Sequence, residues 1–166
     1  YLAAALSYLM IRQQDAVGLL TFDERIRRFI PSRSVGTHLR VLLGELDKLV
    51  RTPRELQRGR GTRIGHSLHH LADRLARRGL VVLISDLMDD PLEVLTGLKH
   101  FRHRQHEVVV FHLLDPAEVA FPFQEETIFV DMETDQRLST IPWEYAADYR
   151  RQVDGWRKRY QRTCAE

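Results

Sequence analysis

The chain has 166 residues, 43% apolar and 29% charged, an ordinary balance for one folded domain with its own core. Its 25 basic and 23 acidic residues leave a formal net charge of +2, without the basic excess of a dedicated nucleic-acid binder. A single cysteine, Cys164, excludes an internal disulfide and points to a reducing, cytoplasmic setting; there is no apolar run of the roughly 18 residues needed to span a bilayer, and no signal peptide.

Residues 1–14 read as the inside of a helix, with Leu2, Leu6, Leu9 and Met10 on one face. No capping residue and no initiator Met precede them, so the chain is expected to be a piece of a longer protein, cut before or within a helix. Residues 15–22 read as a buried strand, Asp23 and Glu24 as a turn, and residues 25–30 as a strand pairing back in a hairpin. Residues 31–36 form a loop, and Thr37 is placed to cap a helix through about Leu49 that turns Leu39, Leu42, Leu43, Leu46 and Leu49 inward. A polar, arginine-rich loop over 52–61 carries Pro53, Gly59 and Gly61. It leads into a helix with Ile64, Leu68, Leu71 and Leu75 along one face and Gly79 at its end.

The next stretch is the most informative. Residues 79–84 are apolar or small with no polar alternation, the pattern of a strand covered on both faces. The run stops abruptly at Ser85, Asp86, Leu87, Met88, Asp89 and Asp90. Strands of this kind belong to parallel sheets, and ligands sit outside their carboxyl ends. Ser85, Asp86 and Asp89 are therefore placed to hold a hard cation or a phosphate.

Pro91 opens a helix to about Arg104. Residues 107–114 form another apolar strand ending in Asp115-Pro116-Ala117-Glu118. A short strand at 127–130, a turn at 131–136 and a returning strand at 137–140 precede a long amphipathic helix over 143–162. Helices alternating with buried strands predict a doubly wound α/β domain with a mostly parallel sheet, helices on both faces and one antiparallel edge hairpin.

Several side chains have plain structural uses. Asp86 suits a turn or helix cap, since a carboxylate is stabilised by exposed N–H groups and the helix dipole. Thr62 suits an ordinary N-cap, and Asp89 and Asp90 suit a solvated first helical turn. His66, His69 and His70, with His100, His103 and His106, suggest zinc, but a structural site wants four ligands and no Glu stands between His66 and His70 in the metalloprotease pattern. Arg58, Arg60 and Arg63 flank Thr62 either as a solvated loop or as a rim that steers an acidic partner. Trp143, Tyr149, Trp156 and Tyr160 suit packing rather than base stacking, and Cys164 is expected to be inert. No Walker loop, nucleophile elbow or dinucleotide fingerprint is present.

Residues 15–22, then Gly61-Thr62-Arg63-Ile64-Gly65, then Leu83-Ile84-Ser85-Asp86, resemble successive blocks of a von Willebrand factor A-type domain. The loop Ser85–Asp90, residues 114–118, residues 129–134 and a final helix with Tyr149 resemble one bacterial branch, the family called domain of unknown function fifty-eight. Nearly the whole chain takes part. The resemblance implies a metal-ion-dependent adhesion site, with Thr62 and Asp86 as ligands and Gly61, Arg63, Ser85 and Asp89 around them. An Asp-x-Ser-x-Ser loop completes such a site; it is absent here, and in the family it lies just upstream of the helix that begins at Tyr1. A first central strand is expected to be missing with it, which would leave a sheet edge open to dimerisation.

Mg²⁺ or Mn²⁺ held by hydroxyls and one or two carboxylates keeps an open position for a partner's carboxylate. The resemblance thus implies a non-catalytic interaction module, an adaptor for a MoxR-type AAA+ ATPase, with membrane helices often upstream in the parent protein. In this chain the metal is expected to be held weakly or not at all. Two alternatives stand beside it. Asp86, Asp89, Asp90 and Asp115 would form the two-metal site of a Mg²⁺-dependent phosphohydrolase or nuclease, or the chain would be a metal-free scaffold of the same fold.

Overall fold

The computed structural model describes residues 1–23, 25–51, 63–131 and 135–165. Gly61 and Thr62, with the arginine-rich loop before them, lie outside the described residues. The chain divides into two compact units, residues 1–62 and 63–166, described separately below.

The first unit holds α1 (Leu2–Arg12), β1 (Val17–Phe22), β2 (Ile26–Arg33) and α2 (Gly36–Arg51). The two strands pair antiparallel, as the hairpin pattern predicts. β2 runs on through Pro31, Ser32 and Arg33, which the sequence places in a loop. The ladder explains why: the register shifts between Val17↔Arg33 and Leu19↔Ile30, so β2 carries an extra residue there, and an irregular strand tolerates a proline without an N–H. Gly18 sits at this irregularity; a Cβ there would lie 2.8 Å from the carbonyl oxygen of Ile30.

The buried stripe of α1 also differs from the expected Leu2, Leu6, Leu9 and Met10 face. Ser7 and Ile11 are buried, while Leu9 is exposed. Ser7 is able to turn inward because its hydroxyl donates to the Ala3 carbonyl at 2.7 Å, leaving no unpaired donor in the core. On α2 the inward face is narrower than expected. Leu42 is fully buried, but Leu43 and Leu49 are exposed. Ile11, Ile30 and Leu42 form the core, with Val17, Leu19 and Leu39 packed against them. His38 is buried too, its Nε2–H donating to the Val17 carbonyl at 2.9 Å.

The second unit holds α3 (Ile64–Arg74), β3 (Leu80–Ser85), α4 (Pro91–His103), β4 (Glu107–His112), α5 (Pro116–Ala120), β5 (Thr127–Val130), β6 (Arg137–Thr140) and α6 (Pro142–Ala165). β3 and β4 pair in parallel, in register from Leu80↔Glu107 to Ser85↔His112, with α4 as the crossover. β5 and β6 form an antiparallel hairpin. The described strands therefore make three two-stranded sheets, one of them parallel, within a mixed α/β arrangement of six helices. The sequence pattern predicts a larger, mostly parallel sheet with one antiparallel edge hairpin; among the described residues there is one parallel pair, and both hairpins read from the sequence stand as separate two-stranded sheets.

α3 ends at Arg74, with Leu75 already extended, well before Gly79. Gly79 does not cap the helix. Its carbonyl accepts the Glu107 N–H at 3.1 Å, so it opens the parallel ladder. α3 and α4 approach closely through two glycines. A Cβ on Gly97 would lie 2.8 Å from Leu68 Cβ, and one on Gly65 would lie 2.8 Å from the backbone of Glu93. Ile64, Val94 and Phe101, all fully buried, fill this unit's interior. No helix among the described residues is long and apolar enough to cross a membrane.

Candidate functional site

The apolar strand β3 delivers the chain to Ser85 and Asp86 at the carboxyl end of the parallel pair, where the sequence pattern places a binding loop. The loop is built from its own short polar side chains. Ser85 Oγ accepts the Leu87 N–H at 3.1 Å, and Asp86 Oδ1 accepts the Met88 N–H at 3.2 Å. Short side chains that accept from the backbone two residues on favour such tight turns. Leu87 takes a left-handed backbone, φ 58°, and its side chain is fully buried. A leucine in that region is strained, and burial of the side chain offsets the strain. Leu87 thereby anchors the loop and leaves Asp86 in solvent.

β4 supports the loop from the other side. The Leu113 N–H donates to the Ser85 carbonyl at 2.9 Å, extending the ladder by one bond. His112, paired with Ser85 in the ladder, donates from Nε2 to the Asp86 carbonyl at 2.9 Å. The His112 ring meets Trp156 edge-on at 4.7 Å and lies 5.7 Å from Tyr160, so α6 steadies the ring that steadies the loop. His112 escaped the sequence analysis, although its place at a strand's carboxyl end was a usable signal.

The carboxylates of this region have separate jobs. Asp86 Oδ1 serves the loop, and among the described residues Oδ2 accepts no hydrogen bond. Asp89 Oδ2 accepts the Ile64 N–H at 2.7 Å, and its Oδ1 accepts the Asp90 N–H. Asp90 caps α4 through the Leu92 N–H at 2.8 Å. Asp115 and Glu118 form a reciprocal capping box on α5, a short helix not anticipated although its Asp-x-x-Glu spacing spells it out. Asp89 and Asp90 thus act as helix caps. Arg63 is exposed and occupies the N-cap of α3 without a side-chain capping hydrogen bond.

The histidines pair rather than converge. His69 Nδ1 meets His100 Nδ1 at 3.0 Å, one ring carrying the shared proton, and Asp73 Oδ1 lies 3.6 Å from His100 Nε2. His66 packs edge-on against His70, and buried His106 against Phe101. Among the described residues, no three His, Cys, Asp or Glu side chains are gathered as a metal-binding group. What the loop does offer is one solvent-facing carboxylate with an uncommitted oxygen. A hard cation takes such an oxygen readily, as one ligand among several. Cys164 is exposed as a residue, while burial around its thiol pushes the pKa up and keeps the thiolate scarce.

The family described as "Protein of unknown function DUF58" matches the chain over residues 1–162. No curated protein and no solved structure matches it.

Proposed function

The chain belongs to the DUF58 family, and on that premise we propose that it is a non-catalytic, metal-dependent protein-interaction module of von Willebrand A-type architecture. The observation that carries the proposal is Asp86. It stands exposed at the carboxyl end of a parallel strand, on a loop fixed by Ser85, Leu87 and His112, with one carboxylate oxygen uncommitted. Asp86 and Thr62 would hold Mg²⁺ or Mn²⁺, with the remaining hydroxyl and carboxylate ligands supplied from outside this sequence. The ion would present an open position to an acidic residue of the partner, taken to be a MoxR-type AAA+ ATPase.

The parallel pair also supports the larger doubly wound sheet. Leu80, Val82 and Val109 lie on one face of that pair and are exposed. Apolar side chains on both faces suit a strand pair covered on both sides.

Calorimetric titration of Mg²⁺ and Mn²⁺ tests the proposal, using this chain extended upstream by about 30 residues, enough for a strand and its loop. Binding that disappears in Asp86→Ala is the expected result. Absence of binding in the unaltered protein sinks the metal proposal and leaves a scaffold. Hydrolysis of a generic phosphomonoester or phosphodiester that Asp86→Ala abolishes would replace the module with an enzyme.

A further inference from the structure

Below the end of β4 the second unit contains a hollow of about 770 Å³ that plays no part in the Asp86 loop. Its lining includes the rings of Phe121, Phe123, Phe129, Tyr145 and Tyr149. Phe121 stacks on Tyr149 with ring centres 4.3 Å apart and lies nearly parallel to Phe129 at 5.9 Å. Phe123 meets Phe129 edge-on at 5.1 Å. Phe121 closes α5 in a left-handed conformation, φ 46°, a backbone a phenylalanine rarely adopts. The cluster is not simply closed core, because Tyr145 and Leu138 on its lining remain more than half exposed.

The charge of the lining is one-sided. Among the described residues no lysine or arginine lines the hollow, and the full charges there are the carboxylates of Asp115 and Glu118. Their capping box holds both in place: Asp115 Oδ1 accepts the Ala117 N–H, and Glu118 Oε2 accepts the Asp115 N–H. Glu118 keeps its second oxygen without a hydrogen bond among the described residues. The negative charge of Glu118 adds to burial in raising the Tyr149 pKa, so its field reaches the ring stack.

We propose that this hollow receives an arginine side chain presented by a partner protein. The occupant must be cationic, because a fixed pair of carboxylates beside aromatic faces attracts a cation twice over, by charge and by ring quadrupole. Arginine fits better than lysine. Its guanidinium is planar, weakly hydrated and stacks on rings, whereas an ammonium gives up its water reluctantly. The volume exceeds one guanidinium, so the stem and flanking residues enter with it, against Leu138 and Pro142. The site shares no residue with the Asp86 loop, so it stands or falls independently of metal binding.

The test is a titration of the capped tripeptide Leu-Arg-Leu into the ¹⁵N-labelled chain at low ionic strength, followed by NMR. The same peptide with citrulline for arginine has the same shape and no charge. Saturable shifts confined to residues lining the hollow are expected, with the citrulline peptide about tenfold weaker or more. Glu118→Gln keeps the capping hydrogen bond and removes the charge, so it should weaken only the arginine peptide. Tyr145→Ala, at an exposed position, should weaken it too. Equal binding of both peptides would make the hollow a plain apolar groove. No shifts with the arginine peptide, or shifts driven by protein concentration alone, would overturn the proposal, the latter in favour of a second copy of the chain.

Discussion

Asp89 reaches back across the fold to accept the first backbone N–H of α3, that of Ile64, at 2.7 Å. The residue at the N-cap, Arg63, makes no side-chain cap, so a carboxylate from the loop after β3 does the capping instead. The same residue bonds the Asp90 N–H beside α4. One side chain therefore ties the starts of both helices to the loop that carries Asp86.

Asp89→Ala should destabilise the protein by about 0.5–2 kcal/mol, the usual loss for an N-cap. Asp89→Asn, which still accepts a hydrogen bond, should lose less. Thermal unfolding followed by circular dichroism measures both. Equal losses would mean that the charge, rather than the cap, is what matters.

Gly97→Ala raises helix propensity by about 1 kcal/mol in an open helix. Here the new methyl would stand 2.8 Å from Leu68 Cβ and 3.1 Å from the Gly65 carbonyl oxygen. Overpacking of this kind costs about 1–3 kcal/mol, so the clash should win and the variant should melt earlier than the parent. A higher melting temperature would show that α3 and α4 have room to part.

Asp86→Asn keeps an oxygen able to accept the Met88 N–H and removes only a solvent-facing charge. Its stability should lie within about 0.5 kcal/mol of the parent. Its affinity for Mg²⁺ should fall sharply in the calorimetric titration. Loss of fold rather than of binding would make Asp86 a structural residue.

Tyr160 is buried, and among the described residues its hydroxyl finds no hydrogen-bond partner. Burial pushes its pKa up from 10.0, and the charges of Asp89 and Asp90 add to the shift. The Trp156 indole N–H works the other way, though its geometry falls short of a hydrogen bond to the hydroxyl. A raised folded-state pKa means stability that is complete below about pH 10 and lost as pH climbs through the folded value. Tyr160→Phe should match or exceed the parent by up to about 1 kcal/mol at neutral pH, since an orphan hydroxyl leaves the core. Above pH 10 the variant should lose less stability than the parent. Parallel alkaline denaturation curves would contradict this placement of the ring.

Much of the second unit was legible in the sequence, because its signals are local. The unbroken apolar run of β3, Pro91 after Asp90, and the spacing of β5 and β6 each reflect a backbone preference acting over a few residues. The position of Asp86 was legible for the same reason: an apolar strand that ends in a hydroxyl and a carboxylate puts them at the carboxyl end of the parallel pair. The Asp-x-x-Glu of α5 was equally local and was passed over.

Other features depended on which distant groups meet. Nothing near Ser7 reveals that it faces inward, since that depends on the packing of α1 within its unit. Gly79 has the spacing of a helix cap, but the strand beside it claimed its carbonyl for the ladder. Pro31 signals a loop, but an irregular strand pair had a place for a residue without a donor. The sequence by itself determined the order and type of most elements and the candidate loop, through preferences satisfied within one turn or one strand. The tertiary structure alone decided which face is buried, which carboxylate caps which helix and where an acidic aromatic hollow opens. Those outcomes follow from satisfying every buried backbone donor and filling space between segments far apart in the chain, conditions that no local spacing encodes.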